Sequence, residues 1–196
     1  MRHGFKAEAE RRAVAIRAEL GQPPESPLPV SELTKHMGIR LLTPKDIPGM
    51  PPDLLSQLLS RDARSWSAMT LELGPNNRWV IYNPMHSRAR RESDIMHEIA
   101  HLLCEHPPAK LVLNEGPVPI ALRDYDALAE EEARWLGGCL QAPRPALIHA
   151  IRRGLSNSEI AGWLGASEDM VRYRRGVTGV DRQAQFNKNK RRSWSF

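Results

Sequence analysis

The stretch at residues 95–106 reads IMHEIAHLLCEH. Its apolar residues recur at helical spacing and predict a helix over 88–105 that packs one face into a core, with Ser87 as its N-cap. Two histidines, His97 and His101, are four residues apart in this helix, so their imidazoles project from nearly the same side. The stretch therefore predicts a core helix that carries two potential metal ligands.

The central five residues of the stretch form an HExxH motif. Neutral imidazole nitrogen is a preferred zinc ligand, and both His97 and His101 can reach one ion. Glu98 follows the first histidine directly, where its carboxylate can take a proton from a water on the metal. The motif therefore predicts a zinc site with Glu98 as its catalytic base.

A catalytic zinc site normally has three protein ligands, so one more is expected from a separate element. Glu105 and His106 are near in sequence, but at 1.5 Å per residue they lie about 12 Å or more along the helix from His97. That span is too long for one ion to be shared. For His106, at the end of the helix, we expect a capping role instead, because a helix C-terminus favours an imidazolium.

The next long helix, predicted over 125–140, offers three consecutive carboxylates at 130–132. Glu130 is the preferred third ligand because it shares a helix face with the small residues Ala133 and Gly137, which would let the metal helix approach closely. Glu132 falls within an apolar stripe and is the second choice. Alternatively, all three carboxylates form a solvated acidic surface.

The rest of the chain predicts an α+β fold that is mostly helical. A small antiparallel sheet is expected to pack on the HExxH helix, and a C-terminal helical bundle resembling a helix-turn-helix follows. The patterns favour helices over 5–20, 30–37, 53–59, 145–153, 157–164 and 168–175, strands over 39–42, 67–73 and 78–82, and a loop over 107–124. The strand at 79–82 could offer its edge to an extended peptide.

Composition narrows the class of protein. The chain has 196 residues, a net charge of +5 and two cysteines, Cys104 and Cys139. Two cysteines cannot form a disulfide framework, so we expect free thiols and a reducing cytoplasmic location. No apolar run approaches the length that spans a bilayer, so we predict no membrane partner.

The positive charge is concentrated at the C-terminus. Residues 171–196 contain eight Lys or Arg and one acidic residue, so the remaining residues sum to −2. DNA contact is therefore possible through the C-terminal helices and the basic tail. The second helix of the helix-turn-helix outline, however, begins with Glu168 and Asp169, which repel phosphate.

A family resemblance is carried by two blocks, HEIAHLLCEH at 97–106 and EEEARWLGGCLQAPRPAL at 130–147. Together they resemble the ImmA/IrrE family of zinc metallopeptidases, over roughly residues 5–182. The resemblance implies a thermolysin-like active site in which His97, His101 and Glu130 bind Zn²⁺ and Glu98 is the catalytic base. For the group that stabilises the transition state, the candidates are Tyr125 and His149.

The resemblance also implies a domain organisation and a substrate. The resemblance and the residue patterns together predict a zinc metallopeptidase-like domain over 1–143 and a helix-turn-helix-like segment over 144–182, and the charge distribution predicts a basic, flexible tail over 183–196. The expected activity is that of a zinc-dependent endopeptidase that cleaves a helix-turn-helix repressor to relieve repression in a stress response or a mobile element. The alternatives are a DNA-binding regulator or a toxin–antitoxin-type interaction module, each with a non-catalytic metal site.

Overall fold

The computed structural model of the protein describes residues 1–74, 77–107, 110–112, 120–122 and 126–184. Within these ranges the main α-helices are α1 Phe5–Glu19, α2 Val30–His36, α3 Pro52–Ser56, α4 Arg88–Leu103, α5 Ala127–Gln141, α6 Arg144–Arg152, α7 Asn157–Leu164 and α8 Glu168–Thr178. A short 3-10 helix spans Pro44–Asp46, and a π-helical turn at Gln57–Arg61 directly follows α3. The strands are β1 Ile39–Leu42, β2 Ala68–Glu72, β3 Arg78–Tyr82, β4 Lys110–Val112 and β5 Ile120–Leu122. The expected α+β, mostly helical class is confirmed.

The main sheet has three strands in the order β1-β3-β2. β2 and β3 form the expected antiparallel hairpin, with Thr70 opposite Val80. β1 runs parallel to β3, with Ile39 opposite Arg78, so the sheet is mixed and not purely antiparallel. Because β3 is the central strand, both of its edges are already paired, and the predicted peptide-binding edge at 79–82 is wrong.

Two short strands occupy the stretch that was predicted to be a loop. β4 and β5 pair antiparallel, with Lys110 opposite Leu122. Three residues are too few to show the alternation of apolar and polar side chains by which a strand is recognised in sequence. The pairing is set by contact between segments ten residues apart, which a local pattern does not record.

The larger hydrophobic core surrounds α4. It joins buried side chains of α1, α2, β1 and β3 to those of α4 and α5, among them the fully buried Ile99 and Leu140. α4 and α5 pack against each other and α4 also packs on β2 and β3, so the HExxH helix lies between the sheet and α5. This arrangement explains why the helix is apolar on one face and carries its histidines toward α5.

A second hydrophobic cluster is formed by α6, α7 and α8. Ser156 caps α7 in a capping box with Glu159, and α7 is followed by Gly165, whose positive φ of 67° reverses the chain before α8. The two helices and their short connection have the expected helix-turn-helix outline. The division at 143/144 and the tail from 183 remain predictions; residues 185–196 of that tail lie outside the described residues.

No helix among the described residues is both long and apolar enough to cross a membrane.

Candidate metal centre

Three side chains from α4 and α5 converge at one point. The Nε2 atoms of His97 and His101 are 3.1 Å apart. Glu130 places Oε2 3.1 Å from Nε2 of His97 and Oε1 3.2 Å from Nε2 of His101. The three potential ligand atoms all lie within 4.8 Å of one another. The structure therefore brings together the three residues that were predicted as ligands.

Close packing of α5 on α4 produces this convergence. A Cβ atom added at Gly137 would lie 3.2 Å from the Met96 carbonyl oxygen and 3.3 Å from Cα of His97. Such distances are tighter than most Cβ contacts, so a side chain here would force the backbone of α4 to move where α5 crosses the first histidine. Ala133, one turn earlier, is fully buried. The small-residue face predicted beside Glu130 is therefore the face on which the two helices meet.

Glu98 is held from the sheet side of α4. Its residue surface is only 6% exposed, and its Oε2 accepts a 2.8 Å hydrogen bond from the hydroxyl of Thr70 on β2. This bond fixes the carboxylate of the residue that directly follows His97, the position at which the motif predicts a catalytic base. Sequence reasoning did not identify Thr70, because its role depends on how β2 packs on α4.

The end of α4 departs from its predicted course and brings His106 back to the site. The helix ends at Leu103, and Glu105 adopts a left-handed conformation with φ of 56°. The backbone N–H of His106 then bonds to the carbonyl of His101, which closes the helix in a Schellman-type turn. Nδ1 of His106 consequently lies 3.0 Å from Nδ1 of His101, so His106 contacts the site through its side chain in addition to closing the helix through its backbone.

Glu132, the second-choice ligand, has a different set of partners. Its carboxylate accepts hydrogen bonds of 2.9 Å from the backbone N–H of Arg2 and 3.0 Å from Nε of Arg2, and Nε2 of His106 lies 3.5 Å from its Oε2. Burial acts to raise the pKa of Glu132, but the bonds from Arg2 and His106 together hold that pKa below its usual value. The carboxylate is thus a buried, paired anion behind His101.

Of the two candidates for transition-state stabilisation, the described residues include only His149, which is not part of the group formed by the three ligands. His149 lies on α6, where its ring packs against Trp163 at 5.7 Å between centroids. It lines a cavity of about 540 Å³ together with Pro145, Ile148, Arg152, Arg153 and Glu25, none of which is a predicted ligand. Tyr125 lies outside the described residues.

The donor set fits zinc. Two imidazole nitrogens and a carboxylate oxygen are the ligands of many catalytic zinc sites, which leave a fourth position open. Ligand atoms about 2.0–2.1 Å from a tetrahedral ion are separated by about 3.3 Å. The separations of 3.1–3.2 Å among His97, His101 and Glu130 are close to that value.

A comparison with family models adds an independent observation. Residues 57–175 match Peptidase_M78, the IrrE N-terminal-like domain. The chain belongs to this family. The match runs from the end of α3 to α8 and includes all four residues of the HExxH and Glu130 set, so it confirms the resemblance seen in the two sequence blocks. Membership places the chain among peptidase-type domains.

The family match is shorter than the span over which the resemblance was drawn, since it leaves α1 and the strand β1 outside. Both elements nevertheless contribute to the core that surrounds α4. Comparison with curated proteins and with solved structures finds no match.

Proposed function

We propose that this protein is a zinc-dependent endopeptidase. The observation that carries the proposal is the convergence of His97, His101 and Glu130 beside the buried Glu98, in a chain of a peptidase family. His97, His101 and Glu130 would hold the metal. Glu98 is the base, because it follows the first histidine on α4 and is held in place by Thr70.

The chemistry is peptide-bond hydrolysis. Zinc, when bound, lowers the pKa of a coordinated water and polarises the carbonyl of the scissile bond. The Glu98 carboxylate takes a proton from the attacking water and returns it to the leaving amine. Glu98 and His101 are buried, so bulk water does not compete for the hydrogen bonds that their side chains make, and those bonds are stronger as a result.

In the described part of the sheet, one strand edge near this site could pair with an extended substrate peptide. β2 lies at the outside of the order β1-β3-β2, and its Thr70 contacts Glu98. An extended peptide that adds to an exposed strand edge gains backbone hydrogen bonds irrespective of its side chains. We therefore place the substrate along β2, in place of the central strand β3.

As substrate we propose a helix-turn-helix repressor in the cytoplasm, cleaved to relieve repression. This part of the proposal rests on the family resemblance. A role as DNA-binding regulator gains no specific support from the described C-terminal helices, since Arg172 on α8 is paired with Glu168 and Asp169 of the same helix.

The test is co-expression with repressors encoded next to the gene for this protein. Wild type is expected to cut one of them at a defined position, and Glu98→Gln, which binds zinc but lacks the base, should leave it intact. Zinc content is measured in parallel on wild type, His97→Ala and His101→Ala. Equal zinc content in all three proteins would contradict the assigned metal site. Zinc-loaded wild type that cuts none of the repressors would contradict the proposed substrate.

A further inference from the structure

We propose that His106 and Glu132 are positioning residues that hold His101 in the orientation and tautomer required for metal binding. The inference rests on the proposed metal site, and it concerns residues that supply none of the three ligand atoms. They form a continuous chain behind the site: Nδ1 of His101 lies 3.0 Å from Nδ1 of His106, and Nε2 of His106 lies 3.5 Å from Oε2 of Glu132.

The hydrogen-bonded pair of His106 and Glu132 contacts His101 on the side away from the other ligands. Nε2 of His101 faces His97 and Glu130, whereas Nδ1 faces His106. His106 is therefore placed to act through His101 and not as a further ligand. The side chains of His101, His106 and Glu132 are 3%, 11% and 5% exposed, so bulk water has little access to these contacts.

Hydrogen-bond polarity fixes the tautomers along the chain. A neutral imidazole that binds a metal through Nε2 keeps its one proton on Nδ1, so His101 donates from Nδ1. Nδ1 of His106 must then accept, which leaves the proton of His106 on Nε2. From there His106 donates to Glu132, a carboxylate that can only accept. Each hydrogen-bond donor in the row therefore faces an acceptor.

Both ends of the chain are anchored by the fold. The left-handed Glu105 turns the backbone so that the ring of His106 lies against the ring of His101, with 5.0 Å between their centroids. Glu132 is fixed by two groups of Arg2, its backbone N–H and its Nε. A histidine held in this way loses less freedom when it binds metal than one that rotates, so the arrangement should raise metal affinity.

The experiment measures zinc affinity by competition with a chromophoric chelator. Wild type is compared with His106→Ala, which removes the acceptor for His101, and with Glu132→Ala, which removes the anchor of His106. The matched control is Glu131→Ala, because Glu131 is the neighbouring carboxylate on α5 and is exposed. His106→Gln is the conservative variant, since its amide can accept from His101 and donate to Glu132.

We expect His106→Ala and Glu132→Ala to weaken zinc binding by about 10–100-fold. Glu131→Ala should bind like wild type, and His106→Gln should recover most of the lost affinity. Thermal unfolding of the zinc-free forms identifies any variant that has lost its fold. Nitrogen-15 NMR of the zinc-loaded wild type, which needs no substitution, should show protons on Nδ1 of His101 and Nε2 of His106.

The outcomes separate this inference from the proposed function. Wild-type protein that binds no zinc at this site would overturn the proposed metal centre, and the positioning roles with it. If wild type binds zinc and a folded His106→Ala binds it equally well, only the positioning role is overturned. A proton on Nδ1 of His106 in the loaded protein would likewise contradict it.

Discussion

The hydroxyl of Thr70 donates a 2.8 Å hydrogen bond to Glu98 across the contact between β2 and α4. Thr70 is 4% exposed, so the bond is shielded from water. A hydrogen bond to a charged group contributes about 1.5–3 kcal/mol, which corresponds to roughly a tenfold or larger change in rate if the orientation of the base depends on it. Thr70→Val keeps the shape of the side chain and removes the donor.

We expect Thr70→Val to slow repressor cleavage by about tenfold or more at unchanged zinc affinity, because none of the ligands is altered. Thr70→Ser keeps the hydroxyl and should cleave at close to the wild-type rate. The measurement is a time course of cleavage at saturating zinc. Equal rates for the Val and Ser variants would show that Glu98 is oriented without this bond.

Both cysteine thiols are protected by their surroundings. Burial raises the pKa of Cys139 to about 12 and that of Cys104 to about 11, so both are protonated at neutral pH. The thiolate is the reactive form. We expect slow alkylation by iodoacetamide at pH 8 in the native protein, with a rate that climbs with pH well beyond 9, and fast labelling of both thiols in denaturant. Rapid labelling of native Cys139 at pH 8 would contradict its burial.

At the scale of elements, the contact between α4 and α5 determines the metal geometry. A methyl group at position 137 would meet the backbone of Met96 and His97 at 3.2–3.3 Å, and a backbone does not move as a flexible side chain does. Gly137→Ala should therefore push the two helices apart and shift Glu130 relative to the histidines. Overpacking of this kind costs typically about 1–3 kcal/mol.

We expect Gly137→Ala to weaken zinc binding and to lower the melting temperature of the zinc-free form. Gly162→Ala is the matched control, because a Cβ at that helical glycine of α7 meets nothing within 4 Å. It should stabilise the helix slightly, since alanine is the better helix former. Zinc affinity and thermal unfolding are measured for both. Wild-type zinc affinity in Gly137→Ala would show that the contact does not set the site.

The same elements show which features a sequence reveals. The HExxH helix and Glu130 were predictable because their signals are local: a helical repeat, two histidines four residues apart, and small residues on one face of the next helix. The role of His106 was not predictable, because it requires Glu105, a non-glycine residue, to adopt a left-handed conformation. No local sequence pattern indicates that conformation. The parallel partner of β1 was equally hidden, since it depends on a pairing nearly forty residues away.

At the scale of the whole molecule, one buried arginine joins the C-terminal helices to the peptidase-type core. Arg174 on α8 is fully buried. Its Nε donates to the carbonyl oxygen of Ala142 at 3.1 Å, its Nη2 bonds to Glu10 of α1, and its guanidinium lies 5.5 Å from the centroid of the Trp135 ring on α5. A single side chain thus contacts residues of α1, α5 and the connection to α6.

Arg174→Ala should therefore destabilise the whole protein, because it leaves Glu10 without this partner and opens a cavity between α8 and α5. Truncating a large, fully buried side chain costs about 2–5 kcal/mol, which for a chain of this size lowers the melting temperature by roughly 4–20 °C. Arg172→Ala is the matched control on the same helix, since Arg172 is exposed and its pairs with Glu168 and Asp169 should contribute less than about 1 kcal/mol.

Thermal unfolding followed by circular dichroism distinguishes the two variants. If the C-terminal helices were an independent attachment, Arg174→Ala would give two separate transitions with the main one unshifted; a single transition at lower temperature shows that α8 is part of the structure that supports the metal helix.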